Sequence, residues 1–183
     1  MEKVVGIIDM DGYQIGKTFF SKVLGTLQVG EDEVQSFFFD ICVRWNDLSE
    51  KEKRTCSYVQ RKIHRLPFGV PNGTEAHPIA SLGKIVADFY NKVKKSSDST
   101  IAYKGGHYER DLLNLLKIPS VNFESFNCPK AEALLSALVW MDMCRNHTVS
   151  NAYHCGKVEV EAFGCWLVSQ KAEADQNSSF KNN

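Results

Sequence analysis

The sequence predicts an α/β domain: a mixed sheet, with a three-strand antiparallel meander followed by parallel strands, flanked by helices. Three observations carry that expectation. The first 43 residues hold three runs of β-rich character separated by short turns. Helical patterns then alternate with short apolar runs at 100–103 and 120–123. Finally, 183 residues with 43% hydrophobic and 24% charged content suit one globular domain with a real core.

The meander is read as follows. Residues 3–9 form a short apolar run, Val4-Val5-Gly6-Ile7-Ile8, that ends in acids and reads as a buried strand. Gly12 is expected to make a turn, because Asp-Gly is a hairpin signal. Lys17 to Val29 is a second strand, with a bend expected at Gly25. Gly30 to Glu33 is a polar turn, and Val34 to Val43, with Phe37-Phe38-Phe39, is a third strand.

Helices follow. Ser49 and Glu52 form a capping box, so residues 50–64 are helical. The Pro- and Gly-containing tract 66–73 is a loop. Pro78 is expected to open a helix in which Ile79, Leu82, Val86, Phe89 and Val93 make one apolar stripe. Strand 100–103, a Gly105-Gly106 turn, helix 107–116 and strand 120–123 come next. Pro129 opens a helix with Leu134, Leu135, Leu138 and Val139, and Val158, Ala162, Cys165 and Trp166 mark the last one. One domain is expected over 1–170, and 171–183 is expected to be a disordered polar tail.

Composition narrows the function classes. Lys+Arg and Asp+Glu are both 22, so any contact with phosphate must come from a local patch. No run approaches the roughly 18 apolar residues of a membrane span, and the short apolar start is wrongly flanked for export. An intracellular chain, cytoplasmic or nuclear, is expected, with its six cysteines reduced. Cys42, Cys56 and Cys165 fall within element patterns and read as core.

The acids carry the chemistry. Asp9 and Asp11 lie two apart on an extended chain, so both carboxylates face one side, where they can share hard cations. The competing reading is a plain turn. Glu109 stands in the first turn of a helix leaving strand 100–103, four before Leu113, so it faces the sheet; Asp111 is the rival acid, and acids favour helix starts in any case. His154 and Glu159 are spaced His-x-x-x-x-Glu into the last helix, with His154 suited to a general base. Glu161 is the alternative to Glu159, but points to another helix face.

Taken in order, Asp9-x-Asp11, Glu109, His154 and Glu159 resemble the DEDDh-type 3′–5′ exonucleases of the RNase H-like fold. The resemblance implies a two-metal site for Mg²⁺ or Mn²⁺ on Asp9, Asp11, Glu109 and Glu159, with His154 as base. One metal would activate water and the other stabilise the leaving oxygen of a phosphodiester. The sequence departs in detail: Asp replaces Glu at the second position, and Glu replaces Asp at the third and last, so every departure keeps a carboxylate.

Cys144-x-x-His147 and Cys155 add a zinc-like spacing, with Glu75, His77, Cys128 or His154 available as a fourth ligand. Together with Glu75 ahead of the first long apolar-striped helix, this cluster resembles the Maelstrom domain, an RNase H-like relative whose Glu, Cys, His and Cys hold zinc. That implies a structural Zn²⁺ on Glu75, Cys144, His147 and Cys155. RNA or another single-stranded nucleic acid is the expected partner. Tyr13 and Tyr108 are read as stacking on a terminal base, and Lys104 and Lys157 as meeting phosphates. Two alternatives are a non-catalytic RNA-binding domain with structural zinc and a protein-interaction domain that kept only the fold.

Overall fold

The computed structural model describes residues 1–135 and 155–181. Its sheet begins with a long hairpin, β1 (Val4–Ile15) against β2 (Thr18–Gln28), turned at Gly16-Lys17 with Gly16 at φ +58°. β3 (Val34–Asp40) pairs antiparallel with β2, completing the meander. A short 3₁₀ turn and α1 (Glu50–Lys62) follow. The expected capping box is formed: the Ser49 hydroxyl accepts from the Glu52 N–H, and the Glu52 carboxylate accepts from the Ser49 N–H. β4 (His77–Pro78) runs parallel to β3, then a 3₁₀ turn leads into α2 (Leu82–Val93).

β5 (Thr100–Tyr103) lies parallel to β1, α3 (His107–Leu115) follows, and β6 (Ser120–Asn122) lies parallel to β5. α4 (Ala131–Leu135) and α5 (Gly156–Lys181) complete the described chain. The six strands lie in the order β4-β3-β2-β1-β5-β6. This is the expected mixed α/β sheet, antiparallel in its meander and parallel on either side of it.

Both faces of the sheet are covered, which is why β1 reads as a continuous apolar run rather than an alternation. On one face Ile8, Met10, Leu24 and Phe39 pack with Val86 and Phe89 of α2 and Leu113 of α3. On the other, Val4, Ile7, Leu27 and Ala102 pack with Val160, Phe163, Trp166 and Leu167 of α5. Fully burying such side chains stabilises by about 1.5–3 kcal/mol each. A third cluster, Tyr13, Ile41, Leu48, Cys56 and Phe68, seats α1 over the far end of the hairpin.

The structure corrects several expectations. Gly12 makes no turn: β1 runs through it, and the register slips there, Asp11 facing Val23 and Gly12 facing Ser21. Lys22 is the extra residue of a β-bulge. Gly25 is a place of close approach rather than a bend, because a Cβ there would lie 2.1 Å from the Gly156 carbonyl oxygen. Pro78 ends a bridge with β3, and α2 starts only at Leu82. Cys56 is buried, but Cys42 and Cys165 are exposed. The segment expected to be a disordered tail instead continues α5 to Lys181. Leu138 and Val139 of the expected helix lie outside the described residues.

Candidate active site

The site is built where β5 stops. β1 is paired with β5 only as far as Ile7 opposite Ala102, and the chain then leaves the sheet through Gly105-Gly106 into α3. Gly105 sits at φ +82°, open to glycine at no steric cost. The Asn122 side chain fastens this exit by accepting from the Gly105 N–H and donating to its carbonyl. Beyond the end of β5, the Met10 N–H donates at 3.0 Å to Oε1 of Glu109, in the first turn of α3. Glu109 is 4% exposed, and Leu113, one turn on, is fully buried beside it in the sequence register the spacing predicted.

Asp9, Asp11 and Tyr13 project to the side of β1 that faces α5, as their two-residue spacing requires. The N-terminus of α5 meets them there. The Gly156 N–H donates to Asp11 Oδ2 at 2.9 Å, placing a carboxylate at the positive end of the helix dipole. The approach depends on two glycines. A Cβ on Gly25 would strike Gly156, and one on Gly156 would come within 3.0 Å of the Asp9 carbonyl oxygen. One turn further, Glu159 acts on Asp9, Asp11 and Glu109 together.

The electrostatics follow from this crowding. Burial is the main force holding the Asp9 carboxyl well above the usual range, with Glu159, Asp11, Glu109 and Cys155 adding repulsion in that order. Burial, then Glu159 and Cys155, raise Asp11, and the Gly156 N–H opposes them. Glu109 is pushed up to about 7 by burial, against the backbone N–H donors that hold it.

Four carboxylates from three separate stretches of chain therefore sense one another at one end of the sheet. Their oxygens are the donors a hard divalent cation takes, and their shared repulsion is what such a cation relieves. In the present conformation no group of three or more His, Cys, Asp or Glu side chains among the described residues is gathered closely enough to hold an ion. Two of the four carboxylates are instead held by backbone donors, Glu109 by Met10 and Asp11 by Gly156.

The rival acids lie elsewhere. Asp111 is exposed and paired with Arg110. Glu161 lines a different surface, with Leu27, Gly164 and Cys165. His154, Cys144 and His147 lie outside the described residues. Cys155 is fully buried beside Asp9 and Asp11, whereas Glu75 is exposed just before β4 at the sheet edge. Nothing in the described residues adds to the zinc expectation.

The expected nucleic-acid contacts divide. Tyr13 must be corrected: it is wholly buried between His64 and Phe68, its hydroxyl donating to the Leu66 carbonyl at 2.7 Å, so it has no face to offer a base. Tyr108 is half-buried and stacks on Phe19 at 3.8 Å, with its hydroxyl donating to the Gln14 side chain. Lys104 is mostly enclosed and lies 3.7 Å from Glu124. Lys157 is half-buried in the first turn of α5.

Sequence reasoning missed His64, a buried histidine on the far side of the Asp11–Gly12 bulge. The Leu66 N–H donates to its Nδ1, so the proton sits on Nε2, which donates to the Gly12 carbonyl at 3.0 Å. A histidine just past the end of α1, ahead of a proline loop, carries no local signal of such a role.

The sequence matches no family model and no curated protein. Among solved structures, the chain is similar to the exonuclease domain of Mopeia virus, in a form fully depleted of manganese. The similarity is 14% in sequence, covers 91% of this chain and 77% of that one, and has a TM-score of 0.50. It shows the fold, an exonuclease-like α/β arrangement, and does not single out the Maelstrom domain. No described helix is long and apolar enough to cross a membrane.

Proposed function

We propose that the chain is a metal-dependent nuclease of 3′–5′ exonuclease type, acting on RNA or another single-stranded nucleic acid. The observation that carries this reading is the convergence of Asp9, Asp11, Glu109 and Glu159 on one end of the sheet, where burial and mutual repulsion oppose their negative charge and backbone N–H donors only partly offset it. The likeness in fold to an exonuclease domain is consistent with it.

The four carboxylates are the residues that would hold Mg²⁺ or Mn²⁺. Such cations, when bound, supply a Lewis acid for the phosphodiester and acidify water. The chain's own part is positioning. Met10 and Gly156 fix two carboxylates by backbone N–H donors, and the Gly25–Gly156 approach sets how near α5 brings Glu159. The extra methylene of Glu109, relative to Asp, spans the gap from the first turn of α3 back to β1. His154, two residues ahead of α5 in the sequence, is the proposed base.

Incubation with 3′-end and 5′-end labelled single-stranded RNA and DNA, in Mg²⁺ or Mn²⁺, tests this. The expected result is stepwise shortening from the 3′ end that Asp9→Ala abolishes. Intact substrate, or cleavage that survives Asp9→Ala, would reject the proposal.

A further inference from the structure

We infer that the surface pocket between the C-terminal half of α1 and the segments 43–45 and 67–69 is a nucleotide-binding subsite for single-stranded nucleic acid. The inference rests on the nuclease reading for its choice of ligand and deepens it by giving the strand a second point of attachment. The pocket has a volume of about 770 Å³, within the size range of small-ligand sites. Its lining includes Trp45, Phe68, Ser57, Gln60, Arg44 and Arg61, and it contains no acid.

Each part of that lining matches one part of a nucleotide. Trp45 is half-buried and is met edgewise by Phe68, with ring centroids 5.0 Å apart and planes at 77°. An indole braced in this way is a rigid platform for a base, and every base presents a π-face. Arg61 is exposed; its Nε donates to the Ser57 carbonyl, which fixes the guanidinium at the pocket wall, and it joins no ion pair among the described residues. Arg44 is partly neutralised by Asp47, so Arg61 is the stronger phosphate contact. Ser57 and Gln60 offer hydrogen-bonding groups to base edges or sugar.

Location supports the same occupant. Phe68, the pocket's inner wall, packs on Tyr13 at 5.1 Å, and Tyr13 lies two residues beyond Asp11 on the same side of β1. The pocket therefore lies past the carboxylates along the hairpin, behind a wall of buried rings. The chain as a whole is neutral, so phosphate must be met by a local cationic patch, and this pocket has one without opposing acids in its lining.

The test is fluorescence anisotropy of a 5′-labelled oligouridylate with the full chain in EDTA, which reads binding without cleavage. Trp45→Ala is expected to weaken binding by about 5- to 150-fold, the range of one lost base stack, and Arg61→Ala to weaken it through the lost phosphate contact. Trp45→Phe should retain most of the affinity, and Tyr58→Ala, an exposed ring outside the pocket, should match wild type. Arg61→Ala should also reduce the salt dependence of binding. In the cleavage assay Trp45→Ala and Arg61→Ala should raise KM with kcat unchanged, and Trp45→Phe should stay close to wild type.

Wild-type affinity in both Arg61→Ala and Trp45→Ala would overturn the inference, as would equal competition by polyglutamate, which would mark a site for acidic polypeptide. Trp45-dependent binding without any cleavage would sustain the subsite while rejecting the nuclease reading. Cleavage with wild-type affinity in both variants would do the reverse.

Discussion

Replacing Gly25 by alanine adds one methyl group where β2 passes beneath the start of α5. That methyl would lie 2.1 Å from the Gly156 carbonyl oxygen, 2.4 Å from its carbon and 2.9 Å from the Lys157 nitrogen. All three are backbone atoms, so no side chain can swing aside. Separation to ordinary contact requires the N-terminus of α5 to retreat by roughly 1 Å in a close-packed interior. Overpacking of this kind costs about 1–3 kcal/mol, which urea unfolding will read. The retreat also draws Gly156 from Asp11 and Glu159 from Asp9. A displacement near 1 Å can cost about 100-fold in rate, so activity should fall further than the folded fraction does. A Gly25→Ala protein with unchanged stability and unchanged cleavage would refute the claim that this contact sets the site.

Two further perturbations probe the buried charges. A carboxyl whose folded pKa exceeds its unfolded one binds its proton more tightly in the native state, so that contribution is complete below about 4.5 and is lost as pH rises through about 7 for Glu109. In EDTA, stability should therefore fall between pH 5 and 7.5, Glu109 contributing about 2–3 kcal/mol, and Glu109→Gln should flatten the fall; a wild-type stability that rises over this range would contradict it. Lys22 is enclosed over the Phe38 ring, with burial pushing its amine down to about 8 against the pull of Asp40. A depressed amine costs native stability below about 8 and ceases to do so as pH climbs towards its unfolded value. Lys22→Met should raise stability by about 1 kcal/mol or more at pH 7, and by less at pH 9.5. Loss of stability at both values would show that the bond from Lys22 to the Gly69 carbonyl outweighs the buried charge.

The parts of this structure that were legible in sequence are those governed by local periodicity. The two-residue spacing of Asp9 and Asp11, the four-residue spacing of Glu109 and Leu113, and the Ser49–Glu52 box each describe a geometry that their neighbours then left intact. The misreadings share a cause: each depended on a partner distant in sequence. Asp11-Gly12 has the chemistry of a turn, but the strand is carried through it by β2, which absorbs the mismatch as a bulge at Lys22. Gly25 reads as a bend because its reason, the Gly156 backbone, lies over a hundred residues away. Tyr13 reads as a stacking surface for a base, but α1 and the 66–68 loop close over it. The polar stretch after Ser169 has no apolar stripe to announce a helix, yet it extends one already seated on the sheet.

The central claim is that Asp9, Asp11, Glu109 and Glu159 form one cation site. Crystals soaked in Mn²⁺ and measured for anomalous scattering test it most directly. The account requires peaks lying between these four carboxylates, within about 2.0–2.6 Å of their oxygens, and lost in Asp9→Ala. Manganese bound elsewhere, or no anomalous density among the four at saturating Mn²⁺, would contradict it.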